Sequence, residues 1–298
     1  MKVLITGVSG FIGGRLLDRA IEIWGRENVL ALSSKANEKC QVLNYDFDSA
    51  VLHLDKSQLA LLSDVKIVIH AGAFIPKSAA QADDVERCNQ NILFTQHLLD
   101  LPLIALEKIV YLSTVDVYSV SSVISEKSYA QPTSLYGWSK LYCEQLVSIY
   151  AREKNISRTI LRIGHVYGPG EERYAKFLPK AMKAIISGNP VELYGDGTEL
   201  RSFIYIDDVI EAIFSAVELS ENIGLINVAG GRSISIKALL KHLIDISGVD
   251  VEVLSHEFHG VKRDLVFDTR LMNDKLLPVE KDFLVALREE YDYFVRMK

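Results

Sequence analysis

Tyr136 and Lys140 stand four residues apart in Tyr136-Gly137-Trp138-Ser139-Lys140. On a helix this spacing puts a phenol and an ammonium on one face. A nearby cation stabilises phenolate and draws a tyrosine pKa from about 10 towards neutrality. Such a tyrosine exchanges a proton with an alcohol or ketone while hydride moves to or from a nicotinamide. The lysine is also placed to hold the nicotinamide ribose. Thr114, at the end of an apolar run, supplies an upstream hydroxyl partner. A second pair, Tyr150 and Lys154, falls in the same stretch. The two tyrosines are separated by roughly 21 Å of helix, so one site cannot use both. Tyr136 sits at the helix start, beside Pro132-Thr133-Ser134. Tyr150 sits near the far end and reads as a packing residue.

Gly7-Val8-Ser9-Gly10-Phe11-Ile12-Gly13 supplies the partner chemistry. Glycines at this spacing, between a strand and a helix, let the backbone turn tightly and approach a pyrophosphate. The helix N-terminus adds N–H groups and a partial positive charge. These residues predict a dinucleotide site. At the end of the next strand an acid would bind the ribose hydroxyls of NAD and repel a 2′-phosphate. Ser33-Ser34-Lys35 stand there instead. Two hydroxyls and an ammonium favour NADP(H), with NAD(H) as the other possibility. Asp46 and Phe47 are candidates to flank the adenine, although Phe47 suits core packing equally well.

Other patterns carry less. His256-Glu257-Phe258-His259 lacks a third metal ligand at sensible spacing, so no metal is expected. No Ser-His-Asp set has a recognisable nucleophile turn. The 298 residues are 49% hydrophobic and 24% charged, with a formal net charge of -6, which fits a folded chain with a sizeable core. Without a basic bias, nucleic acid is a poor partner. Three cysteines with no paired spacing give no disulfide framework. Neither a signal peptide nor an apolar run long enough to span a membrane is read, so the expected compartment is the cytoplasm.

The elements that must position these residues alternate along the first half. Strands are predicted at Lys2–Thr6, Val29–Leu32, Val65–His70, Lys108–Ser113 and Thr159–Ile163. Helices are predicted at Gly13–Trp24, Cys88–Leu99 and Leu135–Arg152. Runs that are apolar on both faces and separated by helices predict a doubly wound α/β fold on a parallel sheet. After Tyr167-Gly168-Pro169-Gly170 turn residues multiply, and a smaller, discontinuous α/β domain is expected. Its predicted extent is about 166–201 plus 229–298, against 1–165 plus about 202–228 for the dinucleotide domain. Asp207–Leu219 reads as a helix capped by Asp207 or Asp208, Leu225–Val228 as a last strand, and Ser235–Ser247 and Asp282–Arg296 as helices.

In this order the motifs resemble the extended branch of the short-chain dehydrogenase/reductase superfamily, the nucleotide-sugar epimerase/dehydratase family. They are Thr6-Gly7-x-x-Gly10-x-x-Gly13, His70-Ala71-Gly72-Ala73, Asn91 with Thr95, Ser113-Thr114-x-x-Val117-Tyr118 and Tyr136-x-x-x-Lys140. Leu161-Arg162, Val166-Tyr167-Gly168-Pro169-Gly170, Tyr194-Gly195-Asp196-Gly197, Arg201-x-Phe203 and Tyr205-Ile206-Asp207-Asp208-Val209 follow. The resemblance implies a Rossmann domain holding the cofactor through Gly7, Gly10, Phe11, Ile12, Gly13, Ala71, Gly72, Ala73 and Asn91. It implies Thr114, Tyr136 and Lys140 as the catalytic group, and a homodimer. Arg201 and Arg263 match positions that commonly grip the substrate pyrophosphate, a task suited to a planar, permanently charged fork. Phe94 stands where a glycine is usual, and His165 replaces an asparagine. His165 suits either a diphosphate contact or a satisfied loop position.

Departures narrow the reaction. Dehydratases of the family place Asp then Glu after the catalytic threonine, where this chain has Val115 and Asp116, a candidate substrate contact. Elimination of water is therefore disfavoured. Double epimerisation is disfavoured too, because Asp116 and Gly170 replace the cysteine and histidine it uses. Reduction of a keto group, at C4, of a nucleoside diphosphate sugar is the first expectation. A tightly NAD-bound 4-epimerase is the alternative, followed by a reductase of non-nucleotide carbonyls and a non-catalytic dinucleotide sensor. The intact Thr-Tyr-Lys set argues against the sensor.

Overall fold

In the computed structural model, residues 1–78, 80–119, 121–260 and 262–298 are described. The apolar runs form strands and the amphipathic stretches form the helices between them. In chain order these are β1 (Lys2–Thr6), α1 (Phe11–Trp24), β2 (Val29–Ser33), β3 (Gln41–Asp46), β4 (Val51–His53), α2 (Lys56–Leu62) and β5 (Val65–His70). Next come α3 (Val85–Leu99), β6 (Lys108–Thr114), α4 (Leu135–Lys154), β7 (Ser157–Ile163), β8 (His165–Tyr167), α5 (Phe177–Ser187), β9 (Val191–Tyr194) and β10 (Leu200–Tyr205). Then α6 (Ile206–Glu218), β11 (Gly224–Val228), β12 (Ser233–Ser235), α7 (Ile236–Ser247), β13 (Val253–His256), α8 (Arg270–Lys275) and α9 (Phe283–Arg296) complete the chain.

The chain divides into two compact units. The first comprises Met1–Ser119, Tyr129–Arg162 and Ile210–Ile226. Its eight-stranded sheet runs β11-β7-β6-β5-β1-β2-β3-β4. β1 pairs in parallel with β2 and β5, β2 with β3 and β5 with β6, while β4 lies antiparallel on β3. Chain order reverses between β1 and β5. In an open α/β sheet this switch point, at the carboxyl ends of the strands, is where a ligand finds a crevice. Thr6, His70 and Thr114 stand at those ends. Leu4, Leu30, Leu43, Val68, Ile109 and Tyr111 are core residues of the sheet, buried to 2% exposure or less. The fold is Rossmann-like α/β, with a smaller, discontinuous second unit.

That second unit comprises Val120–Ser128, Ile163–Val209 and Asn227–Lys298. β10 pairs in parallel with β8 and antiparallel with β12, and β9 pairs in parallel with β13. Here one expectation is corrected. Asp207 and Asp208 lie inside the first turn of α6, not at its cap. Their charge still suits the positive end of the helix, but the Asp208 carboxylate is used to accept the Lys281 N–H at 3.0 Å. Among the described residues no helix is long and apolar enough to cross a membrane.

Candidate active site

The glycine loop follows from backbone sterics. Gly7 has φ +75°, a left-handed conformation that costs glycine little, and a Cβ there would lie 2.6 Å from the Gly72 N. The β1 and β5 loops therefore touch backbone to backbone. Gly10 donates its N–H to the Gly7 carbonyl at 2.9 Å, and α1 starts at Phe11 with no side-chain cap. Gly10, Phe11, Ile12 and Gly13 form the first turn of α1 and its cap, so the positive end of the helix dipole faces the loop. The residues present fit a dinucleotide pyrophosphate. Ala71, Gly72 and Ala73 follow β5, and the Phe74 N–H donates to the Asn91 amide oxygen at 2.7 Å.

The acid/base candidates sit on the same unit. Ser134 caps α4 by accepting the Gly137 N–H. Tyr136 is then in the first turn, with Lys140 one turn on, and both are buried. The Lys140 ammonium donates to the Leu112 carbonyl at 2.6 Å and lies 4.4 Å from the Tyr111 ring centroid. Burial pulls its pKa down to about 8, against the nearby Cys143 and Glu144, which push it up. Thr114 ends β6 and donates its hydroxyl to the exposed Asp116 carboxylate at 3.2 Å.

Two features missed by sequence reasoning bring β6 and α4 together. A Cβ on Gly137 would meet the Asp116 carbonyl at 2.6 Å, so α4 packs on the turn after Thr114 only because residue 137 has no side chain. Glu144, buried in α4, accepts the Ser113 hydroxyl at 2.5 Å and two Arg162 N–H groups at 2.9 and 2.7 Å. A bidentate charged pair fixes geometry as well as energy. Phe94 stacks on Tyr45, 4.4 Å between centroids, and fills the space that a side chain on Gly72 would need.

The second unit brings its own predicted residues together. The Arg201 guanidinium donates to the Arg263 carbonyl at 2.5 Å and to the Leu200 carbonyl at 2.9 Å. Its hydrogen-bond partners are carbonyls, and the charges of Glu199 and Asp264 act on it from nearby. His165 faces Phe203 across the β8–β10 pairing, and its Nδ1 is buried without a hydrogen-bond partner. Burial takes its pKa down to about 3, helped by the charges of Lys176, Arg201 and Arg263. Four basic side chains thus share one neighbourhood. Lys176, whose ammonium is 3.0 Å from the Glu171 carboxylate, had no sequence signal.

The remaining candidates lie on the β2 and β3 ends. Asp46 accepts the Asp48 N–H and the Ser49 hydroxyl, so it is used by its own turn. Phe47 packs edge-on against Phe94 at 5.6 Å. Ser33 is buried and its hydroxyl oxygen accepts the Lys35 N–H at 3.2 Å. Ser34 and Lys35 are exposed.

Residues 3–229 match the NAD dependent epimerase/dehydratase family. A dTDP-D-glucose 4,6-dehydratase of Dictyostelium discoideum is 28% identical over 271 residues, 83% of this chain, and the chain spans 62% of that protein's length. The UDP-glucuronic acid 4-epimerase of Bacillus cereus, in complex with UDP-glucuronic acid and NAD, is 28% identical with a TM-score of 0.85, covering 100% of both chains. The UDP-glucose 4-epimerase of Thermotoga maritima, with UDP-glucose, is 25% identical with a TM-score of 0.85, covering 100% of this chain and 99% of its own.

These structures correct the cofactor expectation. The Bacillus cereus enzyme was captured with NAD, not NADP, in each of its similar structures. The preference for NADP(H) drawn from Ser33, Ser34 and Lys35 is overturned. The physical reason is local: the Ser33 hydroxyl is turned into its own loop, and two solvated side chains do not make a preorganised phosphate site. A match over most of the chain shows the family, and the chain therefore belongs to the NAD dependent epimerase/dehydratase family.

Proposed function

We propose that this chain is an NAD-dependent 4-epimerase of a nucleoside diphosphate hexose, with UDP as the nucleotide. The observation that carries this is the end-to-end likeness to two 4-epimerases of UDP sugars, one of them holding NAD. It takes the place of the reductase expectation. Val115 and Asp116, in place of the dehydratase acid pair, still disfavour loss of water.

Bound NAD supplies the hydride acceptor and then the hydride donor. The protein's own work is proton handling and positioning. Tyr136 takes the proton of the C4 hydroxyl as that carbon is oxidised, and returns it once the sugar has presented its other face. Lys140 keeps a positive charge beside the phenol, and Thr114 holds the reacting oxygen by hydrogen bond. Arg201 and Arg263, with Lys176 and His165 beside them, grip the diphosphate. Because oxidation and reduction balance, no external cofactor is consumed. Incubation of the protein with UDP-glucose or UDP-glucuronic acid and no added cofactor, followed at C4 by proton NMR, tests this reading.

The partner on α3 and α4 is a second copy of the chain. These helices leave a groove of about 570 Å³ lined by Val85, Ile92, Leu135, Trp138 and Tyr142, with no charged side chain in the lining. An apolar face without charge can meet itself across a two-fold axis free of like-charge repulsion.

A further inference from the structure

A chain of buried hydrogen bonds runs through the first unit, centred on His70, which is 1% exposed. The Thr6 hydroxyl oxygen accepts the Gly72 N–H at 2.8 Å and lies 2.8 Å from His70 Nδ1. His70 Nε2 lies 3.0 Å from the Thr95 hydroxyl oxygen. Thr95 donates its one proton to the Asn91 carbonyl at 2.9 Å. The Asn91 side chain holds the Phe74 backbone at both its N–H and its carbonyl, and donates to the Ser139 hydroxyl at 3.2 Å. Ser139 donates to the Tyr136 carbonyl at 2.8 Å.

Proton counting orders this chain. The Thr95 proton is committed to Asn91, so Thr95 only accepts from the ring, and Nε2 must carry a hydrogen. Burial beside the Lys140 charge keeps the ring neutral, taking the His70 pKa down to about 3. Nδ1 is then bare and accepts the Thr6 proton. A ring with the hydrogen on Nδ1 would leave Nε2 facing an oxygen with no proton to give, an arrangement that burial penalises.

We infer that His70, as the neutral Nε2–H tautomer, is a positioning residue that ties the β1 and β5 loops to the α3 and α4 helices bearing Asn91 and Tyr136. It touches neither proton acceptor nor donor of the reaction. It acts through Thr6 and Gly72, whose loop meets Gly7 backbone to backbone, and through Thr95 and Asn91, which fix Phe74 and Ser139. The inference rests on the reading that the β1 and β5 loops hold the dinucleotide. Gln is the conservative replacement, because one amide offers an acceptor and a donor about as far apart as the two ring nitrogens. Phe keeps the ring and removes both partners.

The test measures the NAD dissociation constant and the melting temperature of wild type, His70→Gln, His70→Phe and Thr95→Val. A ¹⁵N spectrum of histidine-labelled wild type at neutral pH accompanies them. Wild type is expected to show a protonated Nε2 and a bare Nδ1 for His70. His70→Phe and Thr95→Val should weaken NAD by roughly tenfold or more, and His70→Gln should recover most of that loss. If His70→Phe does not fold, Thr95→Val, which keeps its side-chain volume, decides. Full NAD affinity in His70→Phe or Thr95→Val, or a hydrogen on Nδ1, overturns the inference. Wild type that fails to bind NAD marks a different failure, that of the dinucleotide reading itself, and takes the inference with it.

Discussion

Lys140 links residue chemistry to pH. Its pKa is held near 8 by burial, so the charge proposed to tune Tyr136 is present below that pH and lost above it. The value of kcat/KM reports groups of the free enzyme, and is therefore expected to fall on the alkaline side with an apparent pKa near 8. A profile flat to about pH 10, the ordinary lysine range, contradicts the role given to Lys140. The two Tyr-Lys pairs give a second residue test. Tyr150 packs against the core of the first unit, and its partner Lys154 lies 5.9 Å from its ring. Tyr136→Phe should abolish turnover and spare NAD binding, while Tyr150→Phe should leave turnover within a few-fold. Reversal of that pattern under steady-state assay sinks the assignment. The proposed catalytic group and the glycine loop stand out in the sequence because each has a chemical signature at fixed spacing. The cofactor was misread because a side chain's hydrogen-bond commitments, such as those of Ser33, are invisible until the loop is folded.

Elements decide whether these residues meet. Gly137→Ala puts a methyl group against the Asp116 carbonyl, and neither backbone can yield without moving α4 from the turn after Thr114. Overpacking of this kind costs about 1–3 kcal/mol. It should lower kcat more than it raises KM, measured beside an unfolding curve. Unchanged kcat would mean that α4 does not set the Thr114–Tyr136 geometry. The central strands were legible from the sequence. β5 spans Val65–His70, as its apolar run predicts. The second unit was harder. β8 and β12 have three residues each, too short to show a period of two. α5 carries Pro179 in its first turn, which reads as a breaker in sequence and is tolerated there because the first turn's N–H groups lack intrahelical partners. α2 had a usable signal that was passed over, the Asp55–Gln58 capping box.

At the scale of the whole molecule, the exposed apolar face of α3 and α4 bears on assembly. Trp138 is 50% exposed and Tyr142 54%, a poor arrangement for a lone chain in water. Light scattering after size exclusion is expected to give twice the chain mass, and Trp138→Glu, which puts like charges across the two-fold axis, should give one. A wild type that stays monomeric at tens of micromolar removes the second copy from the account.

For the proposed reaction, epimerisation without added cofactor separates it from reduction. Purified protein is incubated with UDP-glucose or UDP-glucuronic acid alone, and the C4 configuration is followed by proton NMR. The predicted result is interconversion of the sugar with its C4 epimer, sustained over many turnovers by NAD that stays on the protein. No epimer, together with stoichiometric NADPH oxidation when a 4-keto sugar nucleotide is supplied, would contradict it.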